Sequence, residues 1–208
     1  MQNVTARLSN PFDMDPGCEP AVLGYGDANA HFHVIGDRPA VHGGADSGFP
    51  FTDRQASERL QRALVDGGLL EAAGAPPTVD RTFLSYLYPC VTEGTPTEAE
   101  YDRLEPLFDA ELRAVTAHVL LPVGERATRH VLEHYTATSA DGVAVEASHA
   151  TEVQSGGWLV YPIRDPADWT DRDERRLVTA LRDLLASDYR READLGRFLH
   201  GGDSYFVR

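Results

Sequence analysis

Asp37, Arg38, His42 and Asp46 share one glycine-rich stretch, FHVIGDRPAVHGGADSGFPFTD, over residues 32 to 53. A second polar group, Arg164-Asp165-Pro166-Ala167-Asp168, follows the apolar run WLVYPI. A carboxylate beside a guanidinium can orient water or offset positive charge, and an imidazole can donate or accept a proton near neutral pH. Glycines among them permit left-handed backbone and close approach of a planar ligand, although loop closure alone explains any one of them. His31 and His33 could form half of a metal site, but no further ligands accompany them, so structural histidines are favoured and no metal is expected.

These groups need elements that hold them together. Phe32 to Ile35 reads as a buried strand ended by Gly36, which puts Asp37 and Arg38 at its C-terminal end. Thr52 or Asp53 can cap a helix running to about Val65, with Ala56, Leu60, Ala63 and Leu64 inward. Residues 82–88 give a second strand ending at Pro89-Cys90, and the capping-box pattern Thr97-x-x-Glu100 starts a helix to about Ala117 with Leu104, Phe108, Glu111, Leu112 and Val115 on one face. Residues 118–123 form a strand followed by a helix over 125–133, residues 136–157 a hairpin or crossing loop, and residues 158–163 the last strand. Thr170-x-x-Asp173 then opens a long helix whose stripe is Leu177, Ala180, Leu181, Leu184 and Leu185, and the tail adds a short helical piece and a Gly201-Gly202 turn. Strands alternating with helices predict an α/β fold with a mainly parallel sheet, whose ligand crevice lies beyond the strand C-termini.

With 208 residues and no composition break, a single domain over 1–208 is expected, residues 1–30 forming an irregular N-terminal arm. The formal charge is −14, and all 19 basic residues are Arg. An acidic surface without Lys resembles proteins of salt-loving microbes, where the Debye length shrinks to about 3 Å and short-range Arg contacts must replace long-range steering. Net charge therefore does not exclude a local phosphate groove. No signal-like run and no apolar stretch long enough for a bilayer predict a cytoplasmic protein without membrane contact. A disulfide between Cys18 and Cys90 is possible but weakly supported, since two cysteines lack diagnostic spacing and a reducing cytosol disfavours it.

The order and spacing of IGDRP, SGFPF, the strand ending in PC, EPLFDAEL, HVLLPVGERA and YPIRDPAD resemble the uracil-DNA glycosylase superfamily, in particular its thermophile-type iron-sulfur branch. The resemblance spans most of the chain. It implies a three-layer α/β/α sandwich around a central, mainly parallel four-stranded sheet. It also implies single- or double-stranded DNA as partner, with a damaged base flipped into the crevice and released by hydrolysis. Protein partners are not implied. Four cluster-ligand positions fall on Asp15, Cys18, Cys90 and Leu104, so no cofactor is expected.

Residue roles follow the same resemblance. Asp37 is the catalytic candidate, in Gly36-Asp37-Arg38-Pro39-Ala40 where the family usually has Gly-Glu-Ala-Pro-Gly; it would hold a water or stabilise positive charge on the sugar, or else merely cap its own loop. Phe51 falls where an aromatic ring meets the flipped base, and a plain core Phe is its alternative. Tyr86 replaces the Asn that reads uracil and can make one hydrogen bond or fill the pocket. Asp165 replaces the leaving-group His and would repel developing negative charge. Arg38 and Arg164 would supply positive charge or pair with neighbouring carboxylates, and His42 completes the substrate-binding candidates. The leading expectation is a divergent base-excision hydrolase of altered specificity. The alternatives are an inactive nucleic-acid or nucleobase-binding module, and an enzyme acting on a non-uracil base or nucleoside-like ligand.

Overall fold

Period-two alternation along a few short apolar runs builds this protein's sheet and divides its core in two. The computed structural model describes residues 8–115, 117–136, 145–154, 157–190 and 193. In chain order the elements are β1 (Leu8–Ser9), β2 (Tyr25–Gly26), β3 (Phe32–Gly36), α1 (Pro39–His42), α2 (Gln55–Asp66), β4 (Leu70–Ala72), β5 (Thr78–Val79), β6 (Thr82–Tyr86), α3 (Glu98–Val115), β7 (Val119–Pro122), α4 (Gly124–Tyr135), α5 (Val145–Ser148), β8 (Val153–Gln154), β9 (Leu159–Val160) and α6 (Asp171–Ala186). A 3₁₀ turn at Pro166–Asp168 precedes α6.

The main sheet has the order β1-β2-β6-β3-β7-β9-β8. Its centre, β6-β3-β7-β9, is parallel throughout. The expected four-stranded sheet is thus the middle of a seven-stranded one, extended by the antiparallel β1 and β2 on one side and β8 on the other. These extra strands are two residues each, too short to leave a periodic signal. Two of them lie in the arm predicted to be irregular. β4 and β5 form a separate antiparallel pair.

Phe32, Val34, Leu84, Val119, Leu121 and Leu159 point to one face, where Leu60 and Leu64 of α2 meet Leu177 and Leu181 of α6. Ile35, Phe83, Leu120 and Val160 point to the other, against Leu104, Phe108 and Leu112 of α3 and Val131 of α4. Three layers result, as alternation on a sheet buried from both sides requires.

β3 runs one residue further than read from sequence, to Gly36, while β6, β7 and β9 are shorter, and one helix cap is different. α2 has Arg54 as N-cap with no side-chain cap. Asp53 instead accepts the backbone N–H groups of Asp46 and Ser47, at 3.2 and 2.9 Å, and so closes the preceding loop. Thr170 and Asp173, which open α6 as read from sequence, form a reciprocal capping box. The hairpin alternative for 136–157 fits β8 pairing with β9; residues 137–144, and the tail features after 193, lie outside the described residues.

Cys18 and Cys90 form a disulfide across 72 residues, contrary to the expectation from spacing and compartment. Main-chain bonds from Val22 to Pro89 at 2.8 Å and from Val91 to Pro20 at 2.9 Å lay the arm beside the end of β6, which spacing along the chain does not reveal. Among the described residues no helix is long and apolar enough to cross a membrane.

Candidate functional site

Four parallel strands end on one side of the sheet, and their loops deliver the candidate residues there. β3 leads into Asp37, whose carboxylate has both oxygens engaged. Oδ2 accepts from Arg38 Nη1 at 2.6 Å, and Oδ1 accepts a very short hydrogen bond from the Tyr101 hydroxyl. Arg38 Nη1 also donates to the Tyr101 hydroxyl at 3.2 Å. Burial, reinforced by the Asp37 carboxylate, raises the pKa of the Tyr101 phenol, so it remains a donor. Asp37 is 7% exposed. The ion-pair alternative for Arg38 is therefore realised with Asp37 itself, and the two form one clamped unit with α3.

His42, at the end of α1, has a fixed tautomer. The backbone N–H of Asp37 donates to its Nδ1 at 3.1 Å, which leaves the proton of the neutral ring on Nε2. Burial pulls its pKa down to about 4 against the opposing pull of the Asp165 and Asp37 carboxylates, so the neutral form holds at pH 7. Nε2 is buried without a hydrogen-bond partner, and Asp165 Oδ2 lies 3.9 Å away. Gly124 begins α4 at φ +82, and a Cβ there would come within 3.7 Å of the His42 ring and 4.0 Å of Asp165 Oδ2.

Asp165 uses Oδ1 to cap the 3₁₀ turn, accepting from Ala167 N at 2.9 Å. Its side chain is 33% exposed, well above the 10% of Asp37. Arg164 does not join this group. Its main chain bonds His149 Nδ1 and Trp169 Nε1, and its guanidinium lies 3.8 Å from Asp173 at the start of α6.

Phe51 and Tyr86 sit below the crevice floor. The Tyr86 hydroxyl accepts from Phe51 N at 2.6 Å and lies 2.9 and 3.0 Å from the carbonyls of His42 and Gly43. Burial keeps this phenol protonated. Its ring packs with Phe51 and His42, at centroid distances of 5.2 and 6.2 Å. Only glycine fits at Gly36, where a Cβ would stand 2.7 Å from the Tyr86 ring and 2.8 Å from Phe51. Phe51 has φ +59, a sparsely populated conformation for a bulky residue, held by Tyr86 on its N–H and by Gln61 Nε2 on its carbonyl at 2.6 Å. Phe51 and Tyr86 are both buried, at 1% and 3% exposed.

The structure thus brings Asp37, Arg38, His42 and Asp165 together, buries Phe51 and Tyr86 beneath them, and leaves Arg164 aside. Tyr101 was absent from the sequence-derived candidates. It stands three residues before Leu104 and seven before Phe108, a spacing that extends the apolar stripe and conceals a hydroxyl aimed at Asp37. Arg126 lies over its ring at 4.1 Å and forks onto Glu98 at 2.6 and 3.1 Å. Beyond it, a cavity of about 540 Å³ runs between α3 and α4, lined by Glu105, Arg129, His130 and His134 among others.

His33 is fully buried, with Nε2 2.8 Å from Ser85 Oγ, and His31 Nδ1 lies 2.9 Å from the Tyr189 hydroxyl. Among the described residues no group of three His, Cys, Asp or Glu could hold a metal ion. At the four positions that the resemblance implies for cluster ligands, Cys18 and Cys90 are bonded to each other, Leu104 has no ligand atom, and Asp15 accepts from Gly17 N at 2.7 Å. These residues do not fit an iron-sulfur cluster.

Residues 23–185 match the family model described as the uracil DNA glycosylase superfamily. A type-5 uracil-DNA glycosylase of Pyrobaculum aerophilum is 29% identical over 181 residues, covering 83% of this chain and 75% of that protein.

Proposed function

Starting from a chain that belongs to the uracil DNA glycosylase superfamily, we propose a DNA base-excision hydrolase of altered specificity, one that removes a damaged base other than uracil. The observation that carries this reading is Tyr86. Its hydroxyl is committed to the main chain at Phe51, His42 and Gly43, so it has no freedom to present the paired donor and acceptor of an amide to uracil. Asp165, where the resemblance puts an imidazole, brings no N–H donor to the departing uracil oxygen. Both changes act against uracil, while the strand-end crevice keeps its polar groups.

In this reading DNA lies across the C-terminal edge of the sheet, single- or double-stranded, and a flipped base enters above Tyr86. Asp37, neutralised by Arg38 and oriented by Tyr101, sets the local field, and His42 and Asp165 face it. The Arg-only, acidic composition belongs to a halophilic protein working in the cytoplasm, where exposed charges are screened and short-range Arg contacts carry phosphate binding.

A second reading, a non-catalytic nucleic-acid-binding module, is favoured by one observation: both oxygens of Asp37 are already bonded. Product-resolved assays at molar and moderate salt separate the two, with single- and double-stranded oligonucleotides carrying uracil, hypoxanthine, xanthine or oxidised bases. The expected result is release of a non-uracil base, with uracil the poorer substrate, and a loss of about 100-fold or more in Asp37→Ala. Binding of every oligonucleotide with release from none would leave only the second reading.

A further inference from the structure

From the unequal surroundings of the two strand-end carboxylates, we infer that Asp165 is the water-activating group and that His42 is its positioning residue. The inference rests on the base-excision reading above and deepens it. Both Asp37 oxygens already accept a bond, one from Arg38 and one from Tyr101. A proton taken up at either oxygen would weaken the bond already there, within a residue that is 7% exposed. Asp165 has spent only Oδ1, on the Ala167 N–H, and its side chain is 33% exposed to the crevice.

The His42 ring supplies the second, independent observation. It is 3% exposed, and among the described residues its Nε2 has no hydrogen-bond partner and pairs with one carboxylate, Asp165, at 3.9 Å. That distance is too long for a hydrogen bond, and a movement of about 1 Å completes it. The Asp37 N–H on Nδ1 fixes the ring so that Nε2–H is the donor. Arg38 and Arg54 are the cations facing this ring, and Asp37 and Asp165 the anions. Because His42 is neutral, it orients the carboxylate without cancelling its charge. Absence of a Cβ at Gly124 leaves both atoms approachable.

The step balances as a hydrolysis. A water held on Asp165 Oδ2 attacks the anomeric carbon as the carbon–nitrogen bond to the base breaks, and the bonding pair leaves on the base nitrogen. The water's proton passes to Asp165 and then, directly or through solvent, to the released base. Asp165 also stabilises positive charge on the sugar, a role for which a carboxylate suits better than an imidazole.

The test uses the full chain and whichever oligonucleotide the wild type cleaves best. Asp165→Asn keeps the Oδ1 cap and should lower kcat by about 100-fold or more, while Asp37→Asn causes a smaller loss. His42→Asn retains an acceptor for the Asp37 N–H but lacks the Nε2 donor. It should lower kcat with KM little changed and move the acid limb of the pH–rate profile upward, since a carboxylate without its donor holds its proton more tightly. His42→Gln, which can place an N–H near Nε2, should restore both. Nitrogen-15 spectra of the wild-type imidazoles should show His42 as the neutral Nε2–H tautomer at pH 7. An Asp165→Asn enzyme within threefold of wild type, an unmoved acid limb in His42→Asn, or the opposite tautomer would each overturn the inference while leaving base excision intact. A wild type that releases no base from any oligonucleotide removes both.

Discussion

At Tyr86 a single hydroxyl ties the end of β6 to two points of the β3–α2 connection, because it satisfies the Phe51 N–H and reaches the His42 and Gly43 carbonyls inside the core. Tyr86→Phe keeps the ring and leaves that N–H buried without a partner, at a cost of about 1 to 3 kcal/mol. The expected outcome is a lower denaturant midpoint with an unchanged m-value; an unmoved midpoint would show that water or a loop shift replaces the hydroxyl. Sequence made part of this legible. A Tyr replacing an amide near the end of β6 declares that something has filled or altered the pocket, but its partners are main-chain atoms on a segment some 40 residues away, which residue identity does not encode. Asp37 and Arg38 are the converse case: adjacent opposite charges announce their own pairing, while Tyr101, reaching them from α3, looks in sequence like one more apolar-stripe residue.

Between elements, the same distinction separates what periodicity shows from what it hides. β3, β6, β7 and the helices α2, α3, α4 and α6 are readable because each carries its own alternation or 3.6-residue stripe, whereas β1, β2 and β8 exist only through the strands they pair with. The arm's attachment is of this second kind. Its Cys18–Cys90 bond closes a 72-residue separation over β3, α2 and β6, for which loop-closure entropy sets a ceiling of roughly 4 kcal/mol. Cys18→Ser, or reduction of the wild type, should therefore lower the unfolding free energy by about 2 to 4 kcal/mol in equilibrium denaturation, with the larger effect on contacts between the arm and the end of β6. Identical midpoints for oxidised and reduced protein would mean that the main-chain bonds at Pro20, Val22 and Pro89 hold the arm unaided.

For the molecule as a whole, buried histidines set the response to acid. Burial lowers the pKa of His33 to about 3, and that of His42 to about 4. Both therefore stay neutral in the fold after their unfolded counterparts, near 6.5, have taken up protons, so stability falls as pH drops from about 6.5 toward 4. Glu111 works in the opposite direction. Its burial raises the pKa to about 7, above the unfolded value of 4.5, so its contribution is fully present below pH 4.5 and fades as pH rises through 7. These two histidines against this glutamate leave about one net proton taken up on unfolding near pH 5.5, worth about 1.4 kcal/mol per pH unit. His31 and His130, also lowered to about 4 chiefly by burial, add to the same side. Denaturation at fixed high ionic strength, which holds the repulsion of the −14 charge constant, should show stability declining from pH 6.5 to 4.5. In Glu111→Gln that decline should steepen, because the one opposing group is gone; a flatter decline would mean that Glu111 is ionised in the fold at pH 5.5 and that the balance lies elsewhere.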